Sequence, residues 1–145
     1  MDDVGERLGR VIPLPAPPLS VLDIEAIITG WKHRLGLEGW EISVAWDEPL
    51  EQEDSLAEVV PLSVYDYAKL RLSPAWPTWD RRWANLTILH ELIHLLTRDY
   101  GCAIGAAEPM FSPTAWTIFE SRCDHEEEQL VDRLATLFFG HLGAI

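Results

Sequence analysis

A segment in the middle of the chain has the residue types and the spacing of a metal site. Residues 90–94 read HELIH, so that two histidines stand four positions apart and a glutamate follows the first of them. On an α-helix His90 and His94 would lie on one face, where both imidazoles can bind one metal ion at about 2.0–2.1 Å. Glu91 would lie beside the metal and could take a proton from a metal-activated water. The pattern therefore predicts a zinc site with Glu91 as the general base.

The residues around this segment indicate that its helix is buried. Leucine and isoleucine occupy most positions from 86 to 96, which makes the helix apolar nearly all round. A buried polar group without a partner costs about 1–3 kcal/mol, and a charged group costs more. One bound metal ion would satisfy both histidines. The alternative, two ordinary buried histidines bonded to the backbone, leaves their spacing and the adjacent glutamate to chance.

A catalytic zinc site usually has three protein ligands and one open position, so a third ligand is needed. A metzincin would carry a glycine at position 97 and a histidine at position 100, but this chain has Thr97 and Tyr100. The third ligand must therefore come from another part of the chain. The best source is the acidic segment 124–132, which reads DHEEEQLVD.

This acidic segment resembles the corresponding helix of the gluzincins, which are HExxH peptidases with a glutamate as the third zinc ligand. In that group an Asp or Asn four residues after the ligand hydrogen-bonds to a ligating histidine, and Glu128 and Asp132 have this spacing. Residues 128–135 also resemble the ExxANxFA segment of the ImmA/IrrE-type metallopeptidases of bacteria and phages. The resemblance implies that His90, His94 and Glu128 bind zinc, and that Asp132 orients a histidine.

The residues themselves leave other ligands open. Glu127 shares a helix face with apolar residues, although it would form a capping box with Asp124 if a helix began there. His125 is a candidate because SprT-like peptidases, which have a third histidine, resemble this layout. The remaining candidates are Asp99, Asp124 and Cys123.

The N-terminal half of the chain predicts an arm, a helix and a small sheet. Residues 1–19 are rich in proline and indicate an extended arm. Apolar residues at helical spacing follow Ser20, a good N-cap, and end at Gly36. Residues 40–46 alternate as in a strand, and residues 56–72 indicate two short strands or one bulged strand around Pro61.

The C-terminal half predicts two helices. The first covers residues 83–101, with Arg98 in its last turn and Gly101 as a stop signal. Residues 102–111 indicate a loop, and Ser112 is a candidate N-cap before a proline. The last helix takes in residues 126–139. Together these elements predict an α+β fold, with a compact zincin-like domain over residues 20–145 whose small sheet has two or three strands.

Composition narrows the functional classes. The 145 residues suit one domain, and 24 acidic against 11 basic residues give a formal net charge of −13. Such a surface repels phosphates, so we expect no nucleic-acid partner. No apolar run is long enough for a membrane span, and the N-terminal residues lack the pattern of a secretory signal. The two cysteines form no CxxC pair, which favours a cytoplasmic setting.

The sequence therefore predicts a cytoplasmic hydrolase, a zinc metalloendopeptidase of phage or prophage type that acts on a protein or peptide through a zinc-activated water. By resemblance, strand 67–72 is expected to be an edge strand that pairs with an extended substrate, and Lys69 and Arg71 could favour acidic substrates. The alternatives are a non-catalytic zinc-binding interaction module and a SprT-like protease. The residues offered as donors to a reaction oxyanion are Tyr65, Tyr67, Tyr100, His125 and His141.

Overall fold

The computed structural model describes residues 15–62 and 65–145. Within these ranges the chain forms three helices and a three-stranded mixed sheet, so the predicted α+β class is confirmed. The elements are α1 (Val21–Leu35), β1 (Glu41–Val44), β2 (Ala57–Pro61), β3 (Tyr67–Leu72), α2 (Arg81–Gly105) and α3 (Pro113–Leu142). Short 3-10 turns cover Trp76–Thr78 and Glu108–Met110. Most of the predicted arm, residues 1–14, lies outside the described residues.

Helix α1 begins and ends as its sequence predicts. The Ser20 hydroxyl accepts a hydrogen bond from the backbone N–H of Asp23, and the Asp23 carboxylate accepts one from the Ser20 backbone. Gly36 ends the helix in the left-handed conformation, with φ at 70°, which glycine adopts without a steric penalty. The apolar face of α1 is buried through residues Ile24, Ile27, Ile28 and Trp31.

The central strand of the sheet is β3, since the strand order is β1-β3-β2. Strand β1 pairs with β3 in parallel, and β2 pairs with it antiparallel. The prediction that residues 67–72 form an edge strand is therefore wrong, and β2 is the edge strand next to α2. A local pattern could not reveal this order, because β1 pairs with β3 although β2 lies between them along the chain.

The two faces of β3 differ as its alternating sequence predicts. The buried face carries Ala68, Leu70 and Leu72. On the other face Lys69 Nζ lies 2.6 Å from Glu48 Oε1, and Arg71 Nε lies 3.1 Å from Glu48 Oε2. The hydrogen bond from Lys69 is the main cause of the lowered pKa of Glu48. Because both cations are paired within the chain, the expectation that they select acidic substrates loses its basis.

Helix α2 extends past the predicted end at Gly101 and stops at Gly105. An exposed glycine inside a helix costs only about 1 kcal/mol relative to alanine, so it weakens a helix without ending it. Helix α3 begins at Pro113 after the N-cap Ser112, well before the predicted start at residue 126. The predicted capping box of Asp124 and Glu127 is therefore absent, because both residues lie inside α3.

Asn85 connects three parts of the core. Its side chain is fully buried in α2, and its Oδ1 accepts hydrogen bonds from Trp31 Nε1 at 2.9 Å and from the Ile145 backbone N–H at 2.8 Å. Its Nδ2 donates to the Arg81 carbonyl oxygen at 2.9 Å. The Ile145 side chain packs against Gly30, where an added Cβ would approach it to 2.5 Å. Helix α1, helix α2 and the C-terminal residues are thus fixed together.

Among residues 15–62 and 65–145, no helix has both the length and the apolar character that crossing a membrane requires.

Candidate metal centre

Helices α2 and α3 bring three candidate ligands together. His90 and His94 lie one turn apart on α2, and their Nε2 atoms are 3.2 Å apart. Glu128 projects from α3, with Oε2 at 3.3 Å from His90 Nε2 and Oε1 at 3.2 Å from His94 Nε2. Both imidazoles are about one-fifth exposed, so the cluster lies at the protein surface.

These distances suit a tetrahedral metal ion. Two donors at about 2.0–2.1 Å from a tetrahedral zinc ion lie about 3.3 Å apart. The separation of 3.2 Å between His90 Nε2 and His94 Nε2 matches that value, and each Nε2 has a different oxygen of the Glu128 carboxylate at 3.2–3.3 Å. Two nitrogen donors and one carboxylate are also a ligand set that zinc accepts in catalytic sites. The three side chains could therefore hold a metal ion, and their donor types are ones that zinc accepts.

The other candidate ligands do not join this group. Within the described residues, His90, His94 and Glu128 form the one group of three or more His, Cys, Asp or Glu side chains that could hold a metal ion. His125, an alternative from the sequence, instead contacts Gln129 at 2.8 Å. The remaining alternatives are likewise outside the group: Asp99, Cys123, Asp124 and Glu127.

Asp132 lies one turn after Glu128 on α3. Its Oδ1 is 2.9 Å from His90 Nδ1. A proton on Nδ1 that is donated to this carboxylate leaves the lone pair of Nε2 directed at the cluster. A proton in that position would fix the imidazole in the tautomer that binds a metal through Nε2.

Glu127 lies on the other side of His94 from the cluster. Its Oε1 is 3.6 Å from His94 Nδ1 and accepts a hydrogen bond from the Thr97 hydroxyl. From the sequence, Glu127 was a candidate ligand, and Thr97 served only to exclude a metzincin. No local pattern could have predicted their contact, because the two residues are 30 positions apart on different helices.

Glu91 is buried, at 9% exposure, and is held by the sheet edge. Its Oε2 accepts a hydrogen bond from the Val59 backbone N–H of β2 at 2.9 Å. Burial raises the pKa of Glu91 to about 8, and the negative charges of Glu128 and Glu58 add to the effect, while the Val59 hydrogen bond opposes it. A divalent cation nearby would lower that pKa by favouring the carboxylate.

Two cavities meet at His90 and Glu91. The first has a volume of about 370 Å³ and extends between α2, α3 and the start of β2, where apolar side chains predominate. The second, about 660 Å³, runs along β2 and continues past His94 to Cys102. We call the first cavity the recess and the second cavity the groove. The apolar side chains that line the recess include Leu56, Ala57, Trp83, Leu86 and Ala135.

The edge of β2 that faces the groove presents backbone groups. Ser73 N–H donates to the Leu56 carbonyl at 2.7 Å, and Leu62 N–H donates to the Tyr67 carbonyl at 3.1 Å. Because bonded and outward positions alternate in an antiparallel pair, the even-numbered residues of β2 bond to β3 and the odd-numbered ones face outward. The Val59 N–H that reaches Glu91 is one of these outward groups.

The residues that the sequence offered as oxyanion donors do not line either cavity. Tyr67, for example, lies with its hydroxyl 3.1 Å from that of Ser43. The cationic side chain that does line the groove is Arg98, whose guanidinium also lies 5.4 Å from the centre of the Trp40 ring. From the sequence, Arg98 was predicted only to lie in the last turn of a helix, and its position at the groove was not predicted.

Comparison of the chain with protein-family models, with curated proteins and with solved structures finds no match.

Proposed function

We propose that this chain is a zinc-dependent metallopeptidase with a zincin-like site, in which His90, His94 and Glu128 bind the metal and Glu91 is the general base. The observation that carries the proposal is the set of donor separations of 3.2–3.3 Å between the two Nε2 atoms and the Glu128 carboxylate. Those separations occur beside a buried carboxylate that is not part of the ligand group.

A zinc ion held by these residues would supply Lewis-acid polarisation of a carbonyl group and would make water more acidic. The role of Glu91 follows from its contacts. Val59 N–H holds Glu91 Oε2, which leaves the other carboxylate oxygen to take a proton from the attacking water. Glu91 then gives that proton to the leaving amine. Asp132 faces Nδ1 of His90 and so orients that ring with its Nε2 toward Glu128.

The edge of β2 supports an extended peptide as the substrate. A peptide that lies in the groove could pair with the outward backbone groups of β2, as in β-strand addition. Val59 N–H is used by Glu91, and Pro61 has no N–H, so the edge offers mainly carbonyl acceptors. The recess beside His90 has an apolar lining and a volume that suits one apolar side chain next to the scissile bond.

The non-catalytic alternative, a zinc-binding interaction module, does not explain Glu91. A structural zinc site is usually closed by four protein ligands, whereas this group has three. Burying the Glu91 carboxylate beside such a site costs free energy, and a purely structural site has no need of it. The net charge of −13 also disfavours a SprT-like enzyme that acts on DNA-bound proteins. We retain a cytoplasmic setting as part of the proposal.

The test is the cleavage of a mixture of unstructured peptides by the zinc-loaded protein, with products identified by mass spectrometry. We expect the wild type to cleave and the Glu91→Gln variant to bind zinc equally well but to cleave about 10²–10⁴ times more slowly. Glu126→Gln is the matched control, because its exposed carboxylate pairs with Arg122 on α3 and lines neither cavity. It should retain most of the activity.

Two outcomes would count against the proposal. Equal cleavage by the wild type and by Glu91→Gln would exclude Glu91 as the base. Zinc binding by both proteins without cleavage of any peptide or denatured protein would favour the interaction module.

A further inference from the structure

The proposed zinc chemistry leaves one carboxylate at the site without a role. Glu127 Oε1 lies 3.6 Å from His94 Nδ1, on the far side of the ring from the ligand cluster. The same oxygen accepts a hydrogen bond from the Thr97 hydroxyl, and that hydroxyl is 3.1 Å from the His94 carbonyl oxygen. The Thr97 side chain therefore lies between the backbone of His94 and the carboxylate that faces its ring.

Metal binding through Nε2 would create a need for such an acceptor. A neutral imidazole that binds a metal through Nε2 carries its proton on Nδ1. The His94 side chain is 21% exposed, so this N–H would be largely shielded from water and would need a partner. Metal-bound histidines almost always donate this N–H to a carboxylate, a carbonyl or a water. Glu127 is the carboxylate that faces it.

We propose that Thr97 and Glu127 form a positioning pair for His94: Thr97 holds the Glu127 carboxylate, which accepts the Nδ1–H of His94 when Nε2 binds the metal. The contact of 3.6 Å lies beyond the 2.7–3.2 Å of an ordinary hydrogen bond and shortens when that proton is in place. The inference depends on the metal centre of the proposed function, and neither residue is a ligand.

The pair would complement Asp132, which faces His90 Nδ1 in the same way. The two carboxylates differ in exposure, since the side chain of Asp132 is 72% exposed and that of Glu127 is 29% exposed. A hydrogen bond in the less exposed environment is less weakened by water and salt. Glu127 should therefore contribute more to metal affinity than Asp132 does.

The test is the dissociation constant of Zn²⁺ for the full chain, measured by competition with a chromogenic chelator. We expect Glu127→Ala to weaken zinc binding about 10–100-fold, as loss of such a partner typically does. Thr97→Val should weaken binding in the same direction, and Thr97→Ser should restore it, because serine keeps the hydroxyl. The double variant Thr97→Val/Glu127→Ala should be no weaker than Glu127→Ala alone if Thr97 acts through Glu127.

Glu126→Ala is the matched control. It removes the same charge from the adjacent position of α3, where the carboxylate is exposed and pairs with Arg122. Zinc affinity should remain at the wild-type value. If Glu127→Ala does not fold, Glu127→Gln provides the second variant: it keeps an oxygen acceptor, and we expect a smaller loss that still exceeds that of the control.

Two results would overturn the inference while leaving the metal centre intact. In the first, Glu127→Ala binds zinc as tightly as Glu126→Ala. In the second, Glu127→Ala abolishes zinc binding while Thr97→Val has no effect, which would make Glu127 a ligand. A wild type that binds no zinc would instead refute the metal centre itself, and with it the proposed function.

Discussion

Each imidazole of the site has contacts at both of its nitrogens. The Nε2 atoms of His90 and His94 face each other and Glu128, and each Nδ1 faces a carboxylate. This arrangement is what metal coordination needs, because ligand strength depends on which nitrogen carries the proton. The candidate site therefore consists of all the polar side chains around the two rings, of which the HELIH segment supplies only a part.

At the scale of single residues, replacing Asp132 tests whether the carboxylate that faces His90 Nδ1 supports zinc binding. Replacing Asp132 with alanine removes the acceptor at 2.9 Å from His90 Nδ1. We expect zinc affinity to fall about tenfold, at the lower end of the range for such partners, because the carboxylate is largely exposed. The measurement is chelator competition at fixed pH and salt. Asp132→Asn, which keeps an oxygen acceptor, should lose less, and equal affinity of Asp132→Ala and the wild type would exclude this role.

The local spacings of the candidate ligands could be read from the sequence, whereas the placement of Glu128 beside the histidines was expected only from a resemblance. His90 and His94 are four positions apart on one helix, and so are Glu128 and Asp132 on the other. The contacts made by Thr97 and Val59 could not be predicted, because each joins residues of different elements. A local pattern gives the face on which a side chain lies, but the partner depends on how helices and strands pack.

At the scale of elements, the buried Asn85 couples α1, α2 and the C-terminal residues. Asn85→Ala would leave the Trp31 Nε1–H without its acceptor inside the core. An unsatisfied buried donor costs about 1–3 kcal/mol, so we expect at least that loss in the free energy of unfolding. Urea denaturation of the wild type and the variant measures it.

The control for this prediction is Gln129→Ala on the exposed face of α3. Its side chain contacts His125 at the surface, and such substitutions usually change stability by less than about 0.5 kcal/mol. A loss for Asn85→Ala no larger than that of the control would show that water or a rearranged side chain satisfies Trp31.

Some features of the helices and strands are determined by residues that are close together in the sequence. The start and end of α1 follow from Ser20, Asp23 and Gly36, and the alternation in β3 gives its buried face. The strand order does not follow from the sequence, because parallel pairing of β1 with β3 depends on a crossover that carries no local signal. The predicted end of α2 at Gly101 was wrong, because a single glycine weakens a helix without ending it, and α2 continues to Gly105.

At the scale of the whole molecule, the fold brings an edge strand and two helices around one open site. Strand β2 supplies the backbone contact to Glu91, and α2 supplies the two histidines. Helix α3 supplies Glu128 and the two carboxylates that face the Nδ1 atoms, those of Asp132 and Glu127. The net charge of −13 draws cations to the surface in general, so a specific metal site must be distinguished from diffuse attraction. Variants that remove equal charge from different positions make that distinction.

The measurement that tests the central claim most directly is zinc per chain, by elemental analysis, after purification without added metal and dialysis against a weak chelator. The proteins are the wild type, Glu128→Ala and the control Glu126→Ala, which loses the same charge outside the ligand group. We predict one zinc per chain in the wild type and in the control, and a sharp loss in Glu128→Ala. Equal zinc in all three would contradict Glu128 as a ligand, and no zinc in the wild type would contradict the metal centre.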